Sequence, residues 1–422
     1  MVLPAFTCFF HSFNVAMKKI LFMGFLWVGA SARAQQLITE TEAVDKALKN
    51  SPALKVAALT IRQSENLVRS ARNIPNPDLT FDSPTGQFYT LGVQQSFRFP
   101  TVYKYQSQLQ NQQIGLAQKE QLITQNDAKF KVKFIYQTIQ VAEAIRQQIA
   151  AQDSVYEQIR QAAKRQFEVG TIDKLVLTFA ETQAAEVHNA LAEATQQVIT
   201  NKIQLRLLMQ WDNEKEQNQQ GANRQIGQEQ DFQVQPLGYF PLANLPSKDL
   251  AQNPLIQVAE QAAHISQKAI DVEKANVLPG FMVGYYNQGT RESNVGLRLR
   301  AGVSIPLWMG QYKSRIAAAQ TGHEIAKQRI EAQKLALSTD LQAAQGDLLR
   351  YRNSLHYFQT TALHQADELI ATARRLFEGG QTDYIGFLRT TNDAFNIKLR
   401  YLETLRYYHQ TVLTINYLTG DL

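Results

Sequence analysis

Nine residues that the chain writes twice constrain its fold more than any other feature. Arg165-Gln-Phe-Glu-Val-Gly170-Thr-Ile-Asp173 returns 210 positions later as Arg375-Leu-Phe-Glu-Gly-Gly380-Gln-Thr-Asp383. Arg, Phe, Glu, Gly and Asp recur at identical spacing, and each copy interrupts a very long helical pattern. Glycine reaches the left-handed backbone that ends a helix without a steric penalty. An aspartate three residues on caps the N–H groups that open the next helix. Each copy predicts a tight helical hairpin tip, and two tips predict a duplicated architecture.

The N-terminus of the 422-residue chain reads as a targeting segment. Met17-Lys18-Lys19, the apolar run Ile20 to Ala30 and the small-x-small site Ala32-Arg-Ala34 predict a secretory signal peptide over 1–34. Gln35 then opens the mature chain, and Met1 and Met17 are alternative starts. Losing Lys18, Lys19 and Arg33 takes the formal net charge from +6 to +3. So weak a bias, with no basic stretch interleaved with aromatics, gives no support to a nucleic-acid partner. The one cysteine, Cys8, falls in the removed segment. The mature chain therefore has no disulfide, thiol nucleophile, thiolate metal site or cysteine-borne lipid anchor. No later segment supplies the roughly 20 apolar residues of a membrane helix. An exported chain of this kind enters a membrane only through strands.

Taken in order, the chain states one plan twice. The first repeat, 35–210, predicts a helix over 40–73 with a kink at Asn50-Ser-Pro52. A β-hairpin over 78–99 follows, then a long helix over 102–168, a tip at 169–172 and a return helix over 173–210. In the hairpin, Leu79, Phe81, Tyr89, Leu91, Val93, Phe97 and Phe99 fall on alternating positions. Leu109, Leu116, Ile123 and Phe130 lie seven apart in the long helix; after a phase shift so do Ile135, Ala142, Ile149, Tyr156 and Ala163. Sevenfold spacing predicts left-handed, coiled-coil-like packing. A Gln/Asn-rich stretch, 211–248, reads as a linker between halves. The second repeat, 249–422, predicts a helix over 250–276, a hairpin over 281–305, a long helix over 309–378, a tip at 379–382 and a helix over 383–418. Its long helix carries the rows Ile330, Leu337, Ala344, Tyr351, Phe358 and Leu341, Leu348, Leu355, Ala362, Leu369. The opening and return helices, about 34 and 38 residues, together match the long helix of about 67 at a common rise. The fold class expected is mainly α with a small β part: long antiparallel helices, hairpins at one end and tips at the other.

That shape implies an assembly. Four strands are too few for a membrane barrel, which starts near eight, and open edges in lipid leave backbone groups unpaired. Three copies would pool twelve strands and close it. Leu297, Leu299, Ala301, Val303 and Ile305 would face outward, Arg298 and Arg300 toward water. The same homotrimer would wrap the helices into a hollow cylinder.

With these features in place the sequence resembles the TolC-like outer-membrane efflux family, the exit ducts of tripartite pumps. The resemblance covers residues 37–420 and rests on the paired hairpins, the Ser304-Ile-Pro-Leu strand end and the two Glu-x-Gly-x-x-Asp tips. It implies a trimeric channel with a twelve-stranded barrel in outer-membrane lipid and a periplasmic helical barrel. It also implies a periplasmic adaptor and an inner-membrane, RND-type pump as partners. Carried over, Val169, Gly170, Thr171 and Asp173 with Gly379, Gly380, Gln381 and Asp383 are the tips that meet the adaptor. Many members place acids in the second turn of the last helix as a cation-attracting constriction. Here those positions hold Gly386 and Arg389, so Glu378, Asp383 and Arg389 are the candidate constriction. The compact chain leans toward the heavy-metal cation branch of the family.

Each feature also has a plain structural reading. Gly and Asp at the tips serve as helix stop and cap, and Phe167 and Phe377 as hairpin packing. His323-Glu324 lacks the second histidine of a zinc-protease helix and sits on a packing row with Ile316 and Ile330. His356 and His364 share a face without a third ligand. No phosphate-cradling glycine loop or nucleophile turn occurs. The expectation is a non-enzymatic protein without cofactor or metal. The competing assignments are a periplasmic adaptor, which has one helical hairpin rather than two, and a periplasmic helical scaffold.

Overall fold

The computed structural model describes residues 37–82, 90–211, 232–238, 250–287 and 299–422. The expected signal peptide, the hairpin turns, Tyr239 and Phe240, and most of the expected linker lie outside the described residues. So do Leu297 and Arg298.

The first repeat begins with β1 (Leu37–Ile38), α1 (Glu40–Asn50) and α2 (Pro52–Ala71). A break at Ser51 replaces the single kinked helix expected there. Pro52 has no N–H to continue a ladder, and the Ser51 hydroxyl accepts from Leu54 N–H to start a new helix. Strands β2 (Asp78–Asp82) and β3 (Thr90–Phe97) follow, then α3 (Pro100–Glu168) and α4 (Lys174–Met209). After β4 (Gln233–Val234) and a short 3₁₀ turn come α5 (Pro254–Ala275), β5 (Gly280–Tyr286), β6 (Leu299–Ser304), α6 (Met309–Tyr357), α7 (Leu363–Glu378) and α8 (Tyr384–Thr419).

Helices lie side by side in four columns. The long α3 is central, with α2 and α4 against one flank and α5 and α8 against the other; α6 packs on α5 and α8. Within a column the shorter helices meet end to end. Asn50 donates to the Met209 carbonyl at 3.1 Å, and Asn253 to the Leu418 carbonyl at 2.7 Å. Two side-chain amides thus satisfy carbonyls that a helix end leaves orphaned. Among the described residues, the outer columns, α2 with α4 and α6 with α7, each keep one flank without a neighbour.

The second long helix is not regular. A π turn over Phe358–Ala362 separates α6 from α7. Leu341, Leu348, Leu355 and Ala362 are buried on the expected row, but Leu369 is 39% exposed while Ala366 and Ala373 are buried. A π turn takes up one extra residue, so the sequence beyond it is rotated against its partner helix. Sevenfold counting across Ala362 therefore names the wrong residue.

The strands form one four-stranded antiparallel sheet in the order β2-β3-β5-β6, so the two hairpins join each other through β3 and β5. A second, small parallel pair joins β1 to β4 and is fastened by Tyr136 of α3. Its hydroxyl donates to the Ile38 carbonyl at 2.8 Å and accepts from Gln235 N–H at 3.0 Å. Around it Ile38, Val44, Ile139, Leu205, Met209 and Phe232 make an apolar cluster at mid-length, and Trp211 stacks on Phe232. Part of the expected linker is thereby core.

Candidate functional site

Both tips are built by the same backbone device. Gly170 and Gly380 have φ of +77° and +68°. Gly170 N–H reaches the Phe167 carbonyl at 2.9 Å and Thr171 N–H the Gln166 carbonyl at 2.8 Å; Gly380 and Gln381 repeat the pattern onto Phe377 and Leu376 at 3.1 and 2.8 Å. This is a Schellman closure, which the left-handed glycine makes possible. The next helix opens on an aspartate: Asp173 Oδ1 accepts from Val176 N–H at 3.0 Å, and Asp383 Oδ1 from Gly386 N–H at 2.7 Å. A Cβ on Gly386 would fall 2.7 Å from Thr382 Oγ1 and 3.0 Å from Asp383 Oδ1. The cap geometry accounts for glycine at that position.

Ile159, Ala163, Leu177 and Ala180 of the first hairpin share one apolar cluster with Ala373, Tyr384, Phe387 and Leu388 of the second. Both tips therefore sit at the same end of the molecule. Tyr156 crosses between hairpins, donating to the Leu388 carbonyl at 3.2 Å, and burial pushes its phenol above its ordinary value. No local sequence signal marks this contact, because its partner lies 232 positions away.

The tips are not equivalent. Phe377 packs edge-on against Tyr384, with ring centroids 4.7 Å apart, and against Phe387 at 5.0 Å. Phe167 does not pack in this way: it is exposed, with Lys174 Nζ 5.5 Å from its ring. That corrects the symmetric packing expected for the two phenylalanines. Val169 is 76% exposed and Leu175 is exposed beside it, so the first tip shows solvent an apolar surface. The second shows Gly379, Gly380 and Gln381. Thr171, Asp173, Glu378, Asp383 and Arg389 are also exposed, while His323 Nδ1 meets Ser266 Oγ at 2.9 Å between α6 and α5.

At the opposite end the sheet has two unlike faces. Leu79, Val93, Tyr285 and Leu299 form one cross-strand row, and Phe97, Phe281 and Val303 another. Leu79 is 75% exposed, and Phe81, Leu91, Val283 and Leu299 are exposed with it. The other face carries Asp78, Gln94, Gly284 and Arg300 in register. There Tyr286 donates to Gln94 Oε1 at 2.7 Å, and the Arg300 guanidinium lies 4.7 Å over its ring. Gly92 is required beneath, because a Cβ would approach Tyr286 to 2.5 Å. An exposed apolar sheet face is the reverse of a water-soluble sheet and matches a barrel wall in lipid.

These features define a class: a membrane-channel subunit with strands for lipid and long helices for a duct. Among the described residues no helix is long and apolar enough to cross a membrane, and no group of three or more metal-ligating side chains occurs. A family model for outer membrane efflux proteins matches residues 245–421. The cobalt-zinc-cadmium resistance protein CzcC of Cupriavidus metallidurans is 24% identical over 380 residues, covering 87% of this chain and 86% of that one. The crystal structure of CusC matches with a TM-score of 0.72 at 16% identity, covering 91% of this chain and 92% of that one. The outer-membrane channel OprN matches with a TM-score of 0.73 at 14% identity, covering 91% and 90%. The second half of the chain thus matches the outer membrane efflux protein family, and the fold over 91% of the chain is that of CusC and OprN.

Proposed function

We propose that this protein is the outer-membrane exit channel of a tripartite efflux assembly, working as a homotrimer. The observation that carries this reading is that the subunit is unfinished at both ends of both layers. Among the described residues, strands β2 and β6 have free edges beside an exposed apolar face, and the outer helix columns have free flanks. Lipid tolerates strands only in a closed ring. Closure by β6 of one copy on β2 of the next is a head-to-tail contact that ends in a ring.

The helical part stands in the periplasm and the strands in the outer membrane. The two tips close the far end and engage a periplasmic adaptor, through Val169, Gly170, Thr171 and Asp173 and through Gly379, Gly380, Gln381 and Asp383. Glu378, Asp383 and Arg389 lie at the resulting constriction. Transport energy comes from an RND-type inner-membrane pump. Likeness to a cobalt-zinc-cadmium resistance protein supports divalent transition-metal cations as cargo.

Membrane fractionation, unboiled gel migration and planar-bilayer conductance test the channel. Trimer-sized migration with conductance is expected, and a soluble monomer without conductance overturns it. Growth of a deletion strain on zinc, cobalt and cadmium tests the cargo separately.

A further inference from the structure

Among the described residues outside the strands, a strongly exposed apolar segment lies at the junction where β6 runs into α6. Ile305, Leu307 and Trp308 are 64%, 72% and 81% exposed. The first repeat does the reverse at the same point: Phe99 rests on Phe281 with ring centroids 6.1 Å apart, and Val102 is buried. Packing within the subunit thus explains Phe99 and leaves Trp308 unaccounted for. Ile305 and Leu307 continue the alternation that puts Leu299 and Val303 on the exposed apolar face, so the patch is continuous with that face. Leu278 and Ile74, just before β5 and β2, are exposed as well.

Immediately beyond this rim the exposed charge that opens α6 and α3 is of one sign. Lys313 and Arg315 lie in the first two turns of α6 and Lys104 in the first two turns of α3, all exposed. No acid precedes Glu324 in α6 or Glu120 in α3. An apolar band that ends in tryptophan and then in cations is the profile of a bilayer interface: indole sits at headgroup level and Lys and Arg meet lipid phosphates.

We propose that Leu307 and Trp308 are an interfacial anchor, seated at the headgroup–acyl boundary of the leaflet that faces the helices, with Lys313 and Arg315 on lipid phosphates. The inference rests on the channel reading. It adds one tryptophan per subunit that fixes how deep the barrel sits.

The test uses the full mature chain carrying Trp211→Phe, reconstituted in phosphatidylethanolamine–phosphatidylglycerol vesicles. Trp27 lies in the expected signal peptide, so Trp308 is then the one tryptophan left. Nitroxide-labelled lipids probe depth and aqueous iodide probes exposure. The expected result is strongest quenching by a nitroxide near the carbonyl end of the acyl chain, weaker quenching by one near the chain terminus, and little by iodide. Quenching by iodide alone overturns the anchor, and so does emission shielded from every quencher, which would place Trp308 in the seam between copies. Conductance of the same vesicles separates the two ideas. A conducting trimer without shallow quenching removes the anchor and leaves the channel; a sample with neither trimer nor conductance removes both. If Trp211→Phe fails to fold, the emission lost on Trp308→Phe in the otherwise native chain gives the same depth reading.

Discussion

Replacing Tyr136 by Phe isolates the fastening of the mid-length cluster. The substitution keeps the ring, which is 1% exposed, so it opens no cavity. It removes one hydroxyl that makes two bonds, to the Ile38 carbonyl and from Gln235 N–H. Ile38 is fully buried, and a buried acceptor left without its donor costs about 1–3 kcal/mol. Gln235 is exposed, so loss of its bond costs about 0.5–1.5 kcal/mol after water competes for the N–H. Together these weaken the attachment of β1 and β4 by about 1.5–4.5 kcal/mol. Local opening should then rise by roughly one to three powers of ten, at 1.4 kcal/mol per factor of ten. Hydrogen exchange followed by mass spectrometry on peptides covering 37–38 and 232–238 reads this directly. Peptides across the first tip serve as an internal control and should not change. Unchanged exchange at 232–238 would refute the fastening role of Tyr136.

Three further outcomes follow from the geometry. Asp173→Ala and Asp383→Ala should each cost about 1 kcal/mol of local stability through loss of the cap, seen as faster proteolytic nicking at the tips; Asn at either position should restore resistance. If the π turn shifts the register, Ala366→Leu should overpack the fully buried Ala366 site at about 1–3 kcal/mol; Leu369→Ala should stay within about 1 kcal/mol on thermal unfolding, because Leu369 is partly exposed. Burial lowers the pKa of His409 to about 4. The unfolded chain then binds a proton below about pH 6.5 that the folded chain refuses. Stability is full above that pH and declines by about 3 kcal/mol as pH falls toward 4. His409→Gln should flatten this part of the pH–denaturation curve.

The tip residues show how much could be read without coordinates. Gly170 and Asp173 act on backbone within three or four positions of themselves, and such local geometry is written in local sequence. The same holds for the alternation of Leu79, Phe81, Leu91 and Val93; at Pro52 the sequence signalled a kink, and the structure breaks the helix there. Register across the second long helix was not legible, because the π turn at Phe358–Ala362 carries no mark in the local sequence. The roles of Phe167 and Phe377 differ because Phe377 meets Tyr384 and Phe387, where the first repeat has Lys174 and Leu177.

By itself the sequence determined that the chain is a duplicated unit of helix, hairpin, long helix, tip and return helix, because period, cap and turn chemistry are properties of neighbouring residues. Tertiary structure alone decided which columns are neighbours, that β3 pairs with β5, that Tyr136 joins β1 to β4, and which flanks and edges stay open. Those choices depend on groups up to hundreds of positions apart competing for the same surface, and no window along the chain contains both partners.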